Sequence, residues 1–388
     1  MRVAINGILL SGGRPLTGVH RCILGLAQGL SELNGPHEFV FFAGRDVDAS
    51  ELESEHFRVL SVRTKNRFRL RRILWEQWVL PLRLRMNHVD VFHAPAYVMP
   101  VLTRVPTVLT VYDIFAIRYP LLCRFGNVLH YRKMLPLSVK RARRVIVPSN
   151  ATREHLIETL QTPEEKIRVI PPGLDAGFRP LSEEHKDEIR QRYNLPEKFL
   201  LYVGNLDPKK NIRQIIRAFF ASRAAGRYAH KLLVVGHRSW QYKELVELAR
   251  ELQVEHDVHF PGYFPDEDLP GLYNCADALI FPSRIEGFGL PPLEAMACGT
   301  CVVTSRDPAL MEATGDGALH VPAGNLAELR VAIERMVLDR ALRRELREKG
   351  LARARQFTWE RAAAETVKVY EEVHEEVLQG AGAVSANA

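Results

Sequence analysis

One pattern constrains the fold more than any other, because it occurs twice in the chain. A run of apolar residues over 2–10 predicts a buried strand, and residues 11–20 follow as a glycine-containing loop that leads into a helix. Residues 199–203 and 204–211 repeat this strand and loop in the second half. A strand that feeds a glycine loop at the start of a helix is the opening of a Rossmann-like α/β unit.

The length of the chain indicates that each occurrence begins a domain. A chain of 388 residues exceeds what one hydrophobic core usually serves, so we predict domains over residues 1–180 and 181–388. Hydrophobic residues make up 46% and charged residues 26%, as in globular proteins. The first strand follows Met1 directly and no apolar run is long enough to span a membrane, which predicts a cytoplasmic protein.

Another strand-to-helix loop, later in the second half of the chain, has the features of an anion-binding site. Residues 276–282 predict a buried strand, and Pro291 with Pro292 fits a first helical turn. Gly287 and Gly289 allow a tight turn and close approach of the backbone to a ligand. The helix N-terminus would direct its N–H groups into the same space.

Two carboxylates flank this loop, Glu286 before it and Glu294 on the first turn of the helix. Carboxylates beside a phosphate site are expected where they accept hydrogen bonds from hydroxyls of the same ligand. A sugar phosphate or a nucleoside diphosphate sugar has both phosphate and hydroxyl groups. The simpler alternative is a helix start at which acids are favoured by the helix dipole.

Glu286 and Glu294 are separated by seven residues that include Gly-Phe-Gly-Leu-Pro, and this resembles the E-x7-E signature of the retaining glycosyltransferases of family 4. The resemblance implies the α/β GT-B fold, in which two Rossmann-like domains face a central cleft. It also implies that the last helix, predicted over about 359–378, crosses back to pack on the N-terminal domain.

The resemblance assigns roles to this loop. Glu286 would hold hydroxyls of the donor sugar, and Glu294 would bind the nucleoside ribose. The glycine loop would face the diphosphate with the backbone N–H groups of its residues, which are Gly287, Phe288, Gly289 and Leu290.

Four further donor-binding candidates come from the same resemblance. Gly18 lies in a turn similar to the N-terminal glycine loop of the family, and Lys210 resembles the lysine that pairs with the diphosphate. Asn205 stands where relatives often have Arg, so it would bring hydrogen bonds without charge. Tyr263 lies in a turn that covers the nucleotide base in the family. The first loop does not fit G-x-G-x-x-G, which disfavours dinucleotide binding.

Candidate acceptor-binding residues lie at the ends of two predicted strands in the first domain. His93, Tyr112 and Asp113 would lie at the carboxyl edge of an open α/β sheet, where ligands bind. His93 is equally well interpreted as a core histidine. Many family members have His-Asp where this chain has Tyr112-Asp113, so we favour Asp113 for orienting the acceptor hydroxyl or the donor sugar.

Charge is unevenly distributed between the halves. Residues 1–180 hold 26 Lys and Arg against 15 Asp and Glu, and the remainder holds 27 against 31. Residues 63–85 alternate arginines with Trp, Phe and Leu, which fits either a solvated basic helix face or a surface for anionic lipid. No recognition motif accompanies the charge, so nucleic acid is not expected.

The five cysteines do not predict a disulfide framework. Cys298 and Cys301 match C-x-x-C, but Cys298 would end a helix, where the dipole raises rather than lowers a thiol pKa. Redox activity is therefore disfavoured.

These observations predict an enzyme that transfers a sugar from a nucleoside diphosphate to a hydroxyl of a glycan or lipid-linked glycan. The resemblance implies that the anomeric configuration is retained, and it makes GDP-mannose the first candidate for the donor. No cofactor or metal is expected, because the acids at 266–268 are better explained as helix-capping residues than as metal ligands. A sugar-nucleotide 2-epimerase of the same fold and a non-catalytic binding protein at a membrane or nucleic acid remain alternatives.

Overall fold

The structure is a computed structural model that describes residues 1–11, 17–62, 69–120, 125–237 and 241–386. The chain divides into two compact units, the first formed by residues 1–173 and 357–388 and the second by residues 174–356. Part of the first glycine loop (12–16), part of the basic segment (63–68) and Cys123 lie outside the described residues. Within the described ranges, no helix combines the length and apolar character needed to cross a bilayer.

The first unit is built on a sheet whose described part has seven parallel strands in the order β3-β2-β1-β4-β5-β6-β7. Its strands are β1 (Arg2–Asn6), β2 (Glu38–Gly44), β3 (Phe57–Val62), β4 (Val91–Ala94), β5 (Thr107–Thr110), β6 (Arg144–Val147) and β7 (Ile167–Val169). The order reverses between β1 and β4, which is the point where open α/β sheets bind ligands.

The helices of this unit cover both faces of the sheet because its strands are apolar on both sides. They are α1 (Gly18–Glu32), α2 (Arg69–Leu74), α3 (Leu80–Met86), α4 (Phe115–Arg118), α5 (Phe125–Arg141) and α6 (Asn150–Leu160). A π-helical turn, Trp75–Val79, joins α2 to α3. Ile5 and Phe41 face one apolar layer, and their neighbours Ala4 and Phe42 face the other.

The second unit repeats this arrangement. Its described strands are all parallel, in the order β10-β9-β8-β11-β12-β13. They are β8 (Phe199–Val203), β9 (Lys231–Val235), β10 (Val258–Gly262), β11 (Ala278–Phe281), β12 (Cys301–Ser305) and β13 (Ala318–Val321). The order reverses between β8 and β11, so the loops that follow these two strands are neighbours.

The helices of the second unit are α7 (Glu183–Tyr193), α8 (Ile212–Ala224), α9 (Tyr242–Glu251), α10 (Leu269–Cys275), α11 (Leu290–Ala297), α12 (Pro308–Thr314), α13 (Leu326–Leu338) and α14 (Arg340–Ala354). Tyr202 of β8 and Phe281 of β11 stack with ring centroids 5.9 Å apart and planes at 12°. Both side chains are fully buried, which fixes the two central strands against each other below their loops.

The last helix, α15 (Trp359–Ala386), belongs to the first unit and packs along α1. Its residues Tyr370 and Val373 are fully buried in the apolar layer that α1 shares. The helix continues to Ala386, past the predicted end near residue 378.

Candidate functional site

Lys210 and Glu286 form an ion pair at the carboxyl edge of the second sheet. Lys210 ends a short 3₁₀ turn after β8, and Glu286 lies in the loop after β11. Because β8 and β11 are adjacent strands, the two loops meet and the Lys210 Nζ lies 2.5 Å from the Glu286 Oε1. The side chains are only 13% and 10% exposed, so the pair is largely withdrawn from water.

Backbone and amide contacts hold these loops together. The Arg284 N–H donates to the Lys209 carbonyl over 2.8 Å. Asn211 adopts a left-handed conformation with φ 61°, which asparagine tolerates better than most residues. From there its Nδ2 donates to the Pro282 carbonyl at 3.2 Å and to the Ala323 carbonyl at 2.5 Å, and so Asn211 ties the loops after β8, β11 and β13 into one edge.

The electrostatics of the pair favour its charged form. Burial alone would raise the pKa of Glu286, but the ammonium groups of Lys210 and Lys209 outweigh it and hold that pKa below its usual value. Burial lowers the pKa of Lys210, and the positive charge of Lys209 adds to this, while Glu286 opposes it. The Lys210 Nζ also lies 4.8 Å from the centroid of the Phe281 ring, a cation–π contact.

The glycine loop leads from Glu286 into α11. Gly289 precedes this helix with φ 123°, a conformation that side chains rarely adopt, and a Cβ there would lie 2.6 Å from the Leu310 Cδ2. Leu290 is the first residue of α11, Gly287 is half-buried and Phe288 is buried. Pro291 and Pro292 have no N–H and the Leu293 N–H donates to the Gly289 carbonyl at 3.4 Å, so within the first turn of α11 it is the Leu290 N–H that could face a ligand.

Glu294 lies within α11 and is only 2% exposed. Its Oε2 accepts a hydrogen bond of 2.8 Å from the phenol of Tyr273, which is fully buried on α10. Glu294 is therefore held in a fixed position by a buried partner.

Asp307 belongs to this site although the sequence analysis did not select it. It is 8% exposed, caps α12 by accepting the Leu310 N–H at 3.2 Å, and also accepts the backbone N–H of Glu286. Burial, reinforced by the Glu286 carboxylate, raises the pKa of Asp307 to about 6. An Asp-Pro pair before an apolar run is a signal for a helix cap, but it does not reveal the contact with Glu286.

Asn205 and Tyr263 lie further along the same edge. Asn205 is exposed, and its carbonyl accepts the phenol proton of Tyr202 at 2.9 Å. Tyr263 follows the edge strand β10 and its exposed phenol donates to the Asp266 carboxylate at 2.7 Å. The sheet order places two strands between Tyr263 and Glu286, so these two residues occupy different parts of the edge.

In the first unit, Gly18 is the first residue of α1. The start of this helix is capped by a hydrogen bond of 3.1 Å from the Thr17 N–H to the Nδ1 of His20.

His93, at the end of β4, is fully buried. Its Nδ1 lies 2.7 Å from the Tyr370 phenol and its Nε2 lies 2.8 Å from the Thr110 hydroxyl. Burial lowers the pKa of His93 to about 3, so the ring is neutral and is placed as a core histidine.

Tyr112 and Asp113 follow β5. Tyr112 is half-buried, its phenol is hydrogen-bonded to the Cys22 thiol, and burial raises its pKa well above the usual value. The Asp113 Oδ1 accepts the Phe115 N–H at 2.9 Å, and its Oδ2 accepts the Tyr97 phenol at 3.2 Å. The structure thus brings Asp113 to the carboxyl edge of the first sheet with both oxygens oriented.

The C-x-x-C cysteines, Cys298 and Cys301, are buried and form no disulfide, and the Cys301 thiol donates to the Arg343 carbonyl at 3.2 Å. Burial raises the pKa of Cys298 far above the usual value and raises that of Cys301 to about 11, which makes both thiols poor nucleophiles. Among the residues that the structure describes, no group of three or more His, Cys, Asp or Glu side chains is arranged to hold a metal ion.

Several known proteins resemble the chain over most of its length. It is 29% identical to the O-antigen chain mannosyltransferase B of Escherichia coli over 92% of this chain and 96% of that protein. It is 28% identical to the O-antigen chain mannosyltransferase RfbU of Salmonella typhimurium over 71% of this chain and 78% of that one.

Solved structures match the fold. A sucrose-phosphate synthase from Thermosynechococcus elongatus superposes with a TM-score of 0.79 at 21% identity, over 97% of this chain and 99% of that one. HepE from Anabaena, in complex with UDP and glucose, gives 0.74 at 20% identity over 96% of this chain and 100% of that one. The GT-B fold predicted from the sequence is confirmed.

Two family models account for the two halves. Residues 16–178 match the model "Glycosyltransferase Family 4", and residues 185–353 match "Glycosyl transferases group 1". The chain belongs to the family 4 glycosyltransferases.

Proposed function

We propose that this glycosyltransferase moves mannose from GDP-mannose to a hydroxyl of a glycan or lipid-linked glycan, with retention of the anomeric configuration and without a metal ion. The observation that carries the proposal is the Lys210–Glu286 pair, which puts a cation for the diphosphate beside a carboxylate for the sugar hydroxyls. The names of the two O-antigen chain mannosyltransferases support the choice of mannose and of a glycan acceptor.

The chemical problem in this reaction is the negative charge that develops on the leaving diphosphate. Lys210, once it exchanges Glu286 for the phosphate, and the Leu290 N–H at the start of α11 are the donors that would meet this charge. Glu286 would accept hydrogen bonds from the sugar hydroxyls, and Glu294 from the ribose. The acceptor oxygen forms the new bond to the anomeric carbon on the face from which the phosphate oxygen departs, and its proton passes to that phosphate oxygen.

Donor identity is tested by thermal-shift and calorimetric binding of GDP-mannose, UDP-glucose and UDP-N-acetylglucosamine. We expect GDP-mannose to raise the melting temperature most, because a ligand that binds only the folded state stabilises it in proportion to its affinity. Preference for a UDP-sugar would replace the donor while keeping the reaction class. If no nucleotide sugar binds, the proposed function is wrong.

Products distinguish the remaining mechanistic choices. The one-bond C1–H1 coupling constant of the new glycosidic linkage reports retention or inversion, since the H1–H2 coupling is small in both mannose anomers. Activity after treatment with EDTA reports any metal requirement. A 2-epimerase would form free nucleotide and an epimerised sugar in the absence of an acceptor, whereas a transferase requires the acceptor for glycosidic product.

We also propose that the helical segment α2–α3 lies against an anionic membrane surface, where a lipid-linked acceptor would be found. Apolar side chains that are half or more exposed recur at four-residue intervals along it, and they are Leu74, Trp78, Leu82 and Met86. Arg71, Arg83 and Arg85 are exposed on the same segment. Basic residues interleaved with exposed apolar ones suit a lipid interface.

Vesicle flotation tests this association. Wild-type protein is expected to float with phosphatidylglycerol-containing vesicles and less with neutral phosphatidylcholine, and a Trp78→Ser, Leu82→Ser variant should lose flotation. Met311→Ser, which also removes an exposed apolar side chain but from α12, is the matched control. Equal flotation of both variants would exclude the segment as the membrane contact.

A further inference from the structure

Tyr97 has a strained backbone in the first unit. Its φ is 58°, which is an outlier for a bulky side chain, and the Val98 N–H donates to the Ala96 carbonyl across it at 2.6 Å. A hydrogen bond between residues two apart around a positive φ defines the rare, strained form of the γ-turn. Glycine would relieve this strain, so the tyrosine side chain must have a role that offsets it.

Contacts to β5 and α5 hold the strained turn in place. The Tyr97 N–H donates to the Thr110 carbonyl at 2.8 Å, and its phenol donates to the Asp113 Oδ2 at 3.2 Å. The Tyr97 ring meets Tyr112 edge-on, with centroids 5.9 Å apart, and meets Tyr131 in the same way at 5.4 Å. The turn therefore fixes one aromatic ring beside one carboxylate.

This cluster lies where α/β sheets bind ligands. Tyr97 follows β4 and Asp113 follows β5, and β4 borders the point at which the strand order reverses. Tyr97, Asp113 and Tyr131 are each partly exposed. Tyr112 differs, because its phenol is bonded to Cys22 and it serves as packing behind Tyr97.

We infer that Tyr97, Tyr131 and Asp113 form a subsite for one sugar ring of the acceptor, an inference that rests on the proposed function. A sugar ring has an apolar C–H face, which packs on aromatic rings, and hydroxyls, which donate to a carboxylate. Each Asp113 oxygen accepts one hydrogen bond here and has lone-pair capacity for another. A carboxylate would repel a diphosphate, so the subsite suits an uncharged sugar rather than the nucleotide end of the donor.

The test is saturation-transfer difference NMR, which detects weak sugar binding. The probes are the methyl glycosides of α-mannose, α-rhamnose, β-galactose and N-acetyl-β-glucosamine, each added to the full-length protein in the presence of GDP. We expect the wild type to transfer saturation to at least one probe. Loss of a ring contact typically changes a binding constant about three- to tenfold, so the Tyr97→Ala signal should fall by about that factor.

Two variants keep the test decisive if Tyr97→Ala unfolds. Asp113→Asn conserves shape but weakens the acceptor for the sugar hydroxyls, and it should reduce the signal about tenfold. Tyr97→Phe keeps the packing of the ring and should retain most of the signal. Tyr119→Ala, which removes an exposed phenol elsewhere in the first unit, should match the wild type.

The inference is overturned if no probe receives saturation from the wild type, or if both Tyr97→Ala and Asp113→Asn retain the wild-type signal. Nucleotide binding separates this result from the proposed function, because GDP binding depends on Lys210 and Glu286 and is measured independently by calorimetry. If the protein bound a sugar probe but no nucleotide, the proposed function would be refuted while the inferred sugar subsite would remain supported.

Discussion

Replacing Glu286 by Gln should have opposite effects on nucleotide binding and on transfer. In the ligand-free protein Glu286 neutralises Lys210, so a diphosphate must compete with this carboxylate for the same ammonium group. Glutamine keeps the size of the side chain but replaces one acceptor oxygen by an NH2 donor and removes the charge. We therefore expect Glu286→Gln to bind GDP more tightly than the wild type while it loses transfer activity.

The geometry sets the size of the effect. Two unit charges 2.5 Å apart attract by about 7 kcal/mol at an effective dielectric constant of about 20. Most of this is offset by the desolvation of two side chains that are 13% and 10% exposed, which leaves a net value of about 1–3 kcal/mol. If half to all of that is released to the ligand, GDP affinity rises by about three- to a hundredfold.

Isothermal titration calorimetry with GDP measures this change directly. Lys210→Ala should weaken GDP binding, and the double variant Lys210→Ala, Glu286→Gln should bind no more tightly than Lys210→Ala alone if the effect of Glu286 acts through Lys210. Glu345→Gln, which removes an exposed acid paired with Lys349 on α14, is the matched control and should bind as the wild type does.

Two results would refute this reasoning. Weaker or unchanged GDP binding by Glu286→Gln would mean that the carboxylate does not compete with the diphosphate. Tighter binding that persists in the double variant would mean that Glu286 acts on the ligand by general repulsion and not through Lys210.

Three further predictions concern the framework of the site. Gly289→Ala should lower the free energy of unfolding by about 1–3 kcal/mol and abolish nucleotide binding, because φ is 123° and the new Cβ would meet Leu310 at 2.6 Å. In the folded state the pKa of Asp307 is about 6, above its usual value of 3.8, so the folded state binds more protons than the unfolded state. The free energy of unfolding that Asp307 contributes therefore falls by roughly 3 kcal/mol as the pH rises from about 4 to about 6. Asp307→Asn should remove this pH dependence from the free energy measured by urea unfolding. Tyr370→Phe should cost about 1–3 kcal/mol by leaving the buried His93 nitrogen without its partner, as urea unfolding would show.

Each of these has a control in the same chain. Gly324→Ala adds a Cβ where nothing lies within 4 Å, and its stability should match the wild type. Asp339→Asn alters another helix cap, on α14, and should keep the wild-type slope with pH. Tyr119→Phe removes an exposed phenol and should be neutral. A wild-type result for Gly289→Ala, Asp307→Asn or Tyr370→Phe would contradict the corresponding argument.

The sequence predicted the two α/β units and the position of the glycine loop before α11 because local chemistry specifies them. Gly289 lies two residues before a pair of prolines, a pattern that favours a tight turn followed by the first turn of a helix. The loop lies between a buried strand and a helix, as this pattern predicted. The family signature then identified the fold. The end of the last helix was predicted near residue 378, whereas α15 extends to Ala386, because helix ends are weakly specified by local sequence.

Contacts that depend on strand order were not predictable. Lys210 and Glu286 are 76 residues apart, and their pairing follows from β8 lying next to β11, which no local pattern states. The contact of Asp307 with the Glu286 N–H has the same origin. Tyr97 gave no signal either, because a positive φ is expected at glycine or asparagine and not at tyrosine.

The ion pair also explains how Lys210, which we propose binds the diphosphate, can be largely buried while paired with Glu286. An ammonium group at this depth without a counter-charge would destabilise the fold, since removing one member of a buried pair typically costs about 3–5 kcal/mol. Glu286 supplies the missing charge, and Asp307 accepts a hydrogen bond from the backbone of Glu286. A donor that offers both a phosphate and sugar hydroxyls can engage both members of the pair, whereas a free nucleoside diphosphate engages only Lys210. The same two side chains would therefore favour the intact donor over the released product.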